Sequence, residues 1–149
     1  MAKPKGIFCL IVISFFSLAG RAQTVSAIKA MESQYQSCLD KGEYMLGCSK
    51  AYYRKMDSVL NIAYNTLRSS LDPSKQAELK TGQKQWLAKR DKYFRELKTG
   101  FTKAHPGIDP YGNAIGARDD AMFMIDEQAR FVQKRVLVLI GKMKNTDSK

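Results

Sequence analysis

Apolar residues recur three and four positions apart in four runs of the chain. Val25, Ile28, Met31 and Tyr35 fall in this spacing between Thr24 and Leu39, and Asp40-Lys41-Gly42 ends the run. A longer stripe follows from Met45 to Leu71, built from Tyr52, Met56, Val59, Leu60, Ala63, Tyr64, Leu67 and Leu71. Asp72-Pro73 then stops the chain and restarts it, because Asp72 can cap the next helix while Pro73 sits in a first turn that needs no N–H. The third run, to about Leu97, offers Leu79, Trp86, Leu87, Tyr93, Phe94 and Leu97. The fourth, Ala117 to Lys144, steps through Met122, Ile125, Ala129, Val132, Val136, Leu139 and Met143. Val136 to Ile140 is apolar on every side and is expected to be buried on more than one face.

No stretch alternates with period two. The pattern predicts an all-α fold: a small antiparallel bundle of three long helices plus a short N-terminal helix, with one long loop. That loop is placed at Thr99 to Gly116, where four glycines and two prolines crowd around His105-Pro106-Gly107 and Asp109-Pro110-Tyr111-Gly112. Loops of this length in a compact domain are often functional.

The N-terminus changes the picture of where the protein works. Lys3 and Lys5 precede an apolar run from Ile7 to Ala19, and Gly20-Arg21-Ala22 sets small residues at the right positions for a cut before Gln23. The run is 13 residues, short of the ~20 a membrane span requires. Residues 1–22 therefore read as a cleavable signal peptide, 23–144 as the helical domain and 145–149 as a frayed tail. Cys9 lies inside the apolar run, too early for a lipid-anchored cysteine. The expected product is periplasmic or secreted, is not a lipoprotein, and keeps no transmembrane span.

Charge and cysteine count follow from that cut. Losing Lys3, Lys5 and Arg21 leaves 22 basic against 14 acidic residues, a net +8. Such a surplus favours anionic partners, such as cell-wall polymers, lipid headgroups or an acidic protein. Nucleic acid is disfavoured by export and by the even scatter of the lysines. Cys38 and Cys48 remain, an even pair in an oxidising compartment, and predict one disulfide.

No catalytic constellation assembles. His105 is the single histidine and stands before a proline with no nucleophile in its motif. Asp119-Asp120 and Asp126-Glu127 fit the dipole of a helix start or a solvated face. Met122, Met124 and Met143 suit core filling. No enzyme, metal site or cofactor is expected. The polar residues of the second and third runs say more. Asn61 and Gln83 each lie eleven residues from Asp72, so a hairpin folded there sets them opposite one another. They either form a polar layer that fixes register or line a binding face. The cost of unpaired burial makes the self-satisfied layer the first expectation.

With these residues in place the chain resembles the LprI-like lysozyme-inhibitor family. The pattern is Cys48, then Asp57-x-x-Leu60-Asn61-x-x-Tyr64-x-x-Leu67, then Leu71, then Gln83-x-x-Trp86-x-x-x-Arg90-Asp91, with a weaker echo near Arg130. The resemblance implies a small, helical, disulfide-bonded protein of the bacterial envelope, with the motif residues serving the scaffold. Family members often carry a further cysteine just after the Arg-Asp pair; this chain has Phe94 there. The implied function is an exported, non-catalytic binding protein whose partner is lysozyme or another envelope protein. The alternative is a basic module that binds anionic glycan or lipid surfaces. An inhibitor would insert a loop into a cleft holding two catalytic carboxylates. The expected element is the long loop with Lys103, His105, Asp109 and Tyr111.

Overall fold

In a computed structural model of the protein, the backbone is described for residues 16–146 and side chains for 25–143. Four helices follow one another: α1 Phe16–Leu39, α2 Met45–Ser69, α3 Pro73–Ala104 and α4 Arg118–Thr146. No strand occurs among the described residues, and the fold is an all-α bundle. Residues 1–15 of the expected leader and 147–149 of the expected tail lie outside the described residues.

The core has two apolar centres. One joins Met56, Val59, Leu60, Ala63 and Leu67 of α2 to Ala129, Val132, Val136, Leu139 and Met143 of α4, with Ile28 and Leu79 from the flanking helices. The other, nearer the start of α2 and α4, gathers Phe101, Ala114, Ala117, Ala121, Met124 and Ile125, with Leu46 packed on it. Sequence number rises from the second centre to the first in both α2 and α4, so these two helices run parallel. α1 and α3 run the opposite way on their flanks.

The closest-packed pair is thus α2 with α4, whereas the hairpin about Asp72 brings α2 and α3 into little direct contact. The reason lies in composition. Ala121 and Ala129 are fully enclosed and let the two backbones approach. α3 fully buries only Leu79 and Phe101 along its 32 residues, too little to compete for the stripe of α2. It is lodged instead through half-buried aromatics: Trp86 and Tyr93 stack on Phe131 of α4, and Phe94 meets Tyr53 and Phe131 edge-on. Phe94 thus ties α3 to both neighbours by ring contacts.

The local signals at the turns hold. Asp72 Oδ1 accepts from Lys75 N at 2.9 Å and Pro73 opens α3. That backbone donor, with the Lys75 side chain, holds the Asp72 carboxyl below the ordinary aspartate range. Cys38 and Cys48 are bonded, with Cα atoms 5.9 Å apart, and clamp the end of α1 to the start of α2. Three expectations need correction. The first helix is not short: α1 has 24 residues and its helical backbone already begins at Phe16, ahead of Thr24. α3 continues to Ala104, because burial of Phe101 sustains helix through Gly100, whose outer face is open; the loop is accordingly His105 to Ala117. The Val136–Ile140 patch is buried on one side only. Leu137 and Val138 stay nearly half exposed, since no element covers that face of α4 among the described residues.

Candidate functional site: the loop end of the bundle

The α1–α2 turn and the α3–α4 loop meet at one end of the molecule around a cleft of about 260 Å³. Tyr44, Met45 and Lys50 line it from one side, and Gly112, Asn113, Arg118 and Asp119 from the other. The two sides are joined by Lys50, whose Nζ donates to the Tyr111 and Gly112 carbonyls. An ammonium shared between two carbonyls is a strong, directional tie, and it fixes the loop across 61 positions of sequence.

The loop is bonded from within as well. His105 ends α3, its N–H bonded to Phe101 O, and its Nε2 lies 2.6 Å from Asp120 Oδ2. Asp109 Oδ1 accepts from Tyr111 N at 3.1 Å, closing an Asx turn. The Tyr111 hydroxyl accepts from Gln128 Nε2 at 2.9 Å, and its ring lies under Lys98 Nζ at 5.6 Å. Gln128 is buried to 1 % exposure, so this bond removes what would otherwise be a costly orphan amide. Three of the four loop residues singled out from sequence, His105, Asp109 and Tyr111, are therefore built into the loop. Lys103 remains exposed on the last turn of α3.

Two residues not anticipated from sequence dominate the surface here. Tyr44 is 85 % and Ile115 is 72 % exposed. Tyr44 and Ala114 are also the two non-glycine residues with positive φ among those described, at 56° and 45°. Such a conformation is strained for a residue with a Cβ, by roughly 1–3 kcal/mol. The Tyr44 ring lies over Gly47 so closely that a methyl group there would collide with it at 2.2 Å. The Tyr44 carbonyl starts α2 by accepting from the Gly47 and Cys48 amides, while most of its side chain is left in water. No periodicity could reveal this, because both residues lie between helices.

The motif residues fall elsewhere, along α2 and α3. Leu60 and Leu67 are core. Asn61 is exposed, and its Nδ2 donates to Asp57 O in its own helix at 3.0 Å. Gln83 Oε1 accepts from Nε and Nη2 of Arg135 on α4, at 3.0 and 2.9 Å. The expected Asn61–Gln83 pair is thus not bonded, because α4 supplies the partner of Gln83 and the two helices stand apart. The guanidiniums of Arg90 and Arg135 each lie 5.7 Å from the Trp86 ring centroid. Arg90 also holds Asp91 Oδ1 with Nε and Nη2. Tyr64 is half-buried beside them. Asp126 does not face solvent as its sequence context suggested. It pairs with Arg130 at 2.7 Å while its second oxygen is buried without a partner.

The family model for lysozyme inhibitor LprI matches residues 38–136, from the first bonded cysteine through most of α4. The chain belongs to the LprI lysozyme-inhibitor family. No curated protein and no solved structure gives a significant match. The LprI match takes in both halves of the loop-end cleft, Tyr44 and Lys50 as well as Tyr111 to Arg118, and every motif residue from Cys48 to Asp91. The described residues contain no group of three His, Cys, Asp or Glu placed to hold a metal ion. No helix among them is long and apolar enough to cross a membrane.

Proposed function

We propose that this LprI-family protein is an exported, non-catalytic binding protein of the bacterial envelope that inhibits lysozyme. Its loop end would occupy the enzyme's substrate cleft. Family membership over residues 38–136 carries this reading, and the geometry of the loop end supports it as the contact surface. Tyr44 and Ile115 stand proud of a rigid end that a disulfide, the Lys50 tie and the Tyr111–Gln128 bond hold in place. Pre-ordering of this kind spares the entropy that a flexible loop would lose on binding. Lys103 and Arg118 bring positive charge to the same end, which suits a cleft with two carboxylates.

The test is clearing of a bacterial cell-wall suspension by lysozyme with and without the purified protein, across a salt series. Wild type slows clearing, and part of the effect survives high ionic strength because ring burial is not screened. Tyr44→Asn, paired with Ile115→Ser, abolishes inhibition without lowering the melting temperature, since asparagine tolerates the left-handed backbone better than tyrosine. No inhibition by wild type would sink the proposal. Binding to cell walls or lipid that vanishes with salt would instead favour the basic surface-module reading, to which the +8 charge of the segment after residue 22 lends support.

A further inference from the structure

The splaying of α2 from α3 opens an elongated groove of about 380 Å³ between them, floored by buried Leu60 with Tyr64 and Leu87 on its walls. It shares no residue with the loop-end cleft. Six motif residues line it, Asp57, Leu60, Asn61, Tyr64, Gln83 and Arg90, so the pattern read as scaffold is concentrated on a concave surface. The volume lies in the range of small-ligand sites.

The polar groups of the groove are only half used. Asn61 spends Nδ2 on its own helix, leaving its carbonyl oxygen without a partner among the described residues. Gln83 spends its carbonyl oxygen on Arg135 and leaves its NH2 group unspent. One wall therefore offers an amide acceptor and the other an amide donor, the complement of the C=O and N–H along an extended peptide. Charge selects which peptide. Lys80 and Lys84 stand exposed one turn apart, with no ion-pair partner among the described residues, while Arg90 is engaged by Asp91. Asp57 is the one carboxylate in the lining. A lipid surface would need a basic face that it could lie flat against, whereas here the lysines sit on one wall above an apolar floor.

We propose that the α2–α3 groove binds an extended acidic peptide segment. Its carboxylates lie along Lys80 and Lys84, its backbone meets Asn61 and Gln83, and an apolar side chain rests on Leu60, Tyr64 and Leu87. The site is separate from the lysozyme reading and does not depend on it.

Fluorescence anisotropy tests this with a fluorescein-labelled peptide of alternating glutamate and leucine, added to the purified, disulfide-intact protein. Saturable binding is expected. It should weaken by about tenfold or more, a change of ~1.4 kcal/mol, with Lys80→Glu/Lys84→Glu, and also with Asn61→Phe, which narrows the groove from an exposed position. A glutamate–glycine peptide should bind as weakly. Melting curves matching wild type establish that the variants fold, and lysozyme inhibition measured on them should be unchanged. The proposal is overturned if the peptide does not bind, or if Asn61→Phe leaves binding intact. It also fails if the glutamate–glycine peptide or phosphatidylglycerol vesicles bind equally well, since either result reports a merely basic surface.

Discussion

Side chains with the same sequence signature have different fates here. Asn61 and Trp86 both belong to the motif of α2 and α3, yet Asn61 is bonded only to its own helix in contact with solvent. Asn61→Ala removes no buried partner and substitutes a better helix former, so urea unfolding should shift by no more than about 0.5 kcal/mol. A loss near 2 kcal/mol would mean that Asn61 has a buried role. Trp86 loses more: its ring contacts Phe131 and two guanidiniums. Trp86→Ala should cost about 2–3 kcal/mol, below the ~3–5 of a fully enclosed aromatic, because its edge reaches solvent. Tyr52 gives a pH signature. Burial, then the nearby Glu32 carboxylate, pushes its phenol up to about 12. The folded state holds this proton more tightly than the unfolded chain, whose phenols ionise near 10. Stability from this group is full below pH 10 and is lost as pH rises toward 12. Melting temperatures at pH 9 and pH 11 should fall less steeply for Tyr52→Phe than for wild type; parallel falls would contradict the assignment.

At the scale of elements, the two connections at the loop end are held by different chemistry. The Cys38–Cys48 bond closes ten residues of chain and should contribute about 2.5–3 kcal/mol by restricting the unfolded state. Its reduction should lower the melting temperature and free the turn that carries Tyr44. The α3–α4 loop hangs on Lys50. Lys50→Met should remove two hydrogen bonds to the loop carbonyls, at about 1–2 kcal/mol, and raise hydrogen exchange at the amides of residues 111–116. The helices themselves should stay protected. Equal exchange in the variant and wild type would show that the Asx turn and the Tyr111–Gln128 bond suffice alone. Helix boundaries teach a related lesson. The glycines of the third run suggested a loop from Thr99, but burial of Phe101 against Ala114, Ala117 and Ala121 carried the helix past Gly100. A single glycine costs only ~1 kcal/mol in a helix, less than one buried ring supplies.

For the whole molecule, export is the expectation that most affects where either surface would meet a partner. A secreted product should begin near Gln23 and carry no lipid, which intact mass decides. A mass that retains residues 1–22 or an acyl chain would overturn it. The two surfaces also separate by salt. The loop end presents rings and should bind in a partly salt-resistant way, whereas the α2–α3 groove engages its ligand through lysines and should weaken steeply as ionic strength rises.

What the sequence determined by itself is local: the apolar stripes of α2 and α4, the Asp72-Pro73 restart, the paired cysteines and the motif spacing. Each rests on interactions within a few turns of chain, or on an even count of thiols, and each is present in the structure. Only the tertiary fold decided which stripe met which. Periodicity says that one face of α2 must be buried but not against what, and the small residues of α4 won that face from the sparsely apolar α3. From that choice came the open groove beside Asn61 and Gln83, the capture of Gln83 by Arg135, and the tie from Lys50 to the far loop. The strained, exposed Tyr44 was likewise out of reach. Its backbone conformation is imposed by the disulfide-clamped turn and the close approach over Gly47, constraints that exist only once α1 and α2 are packed together.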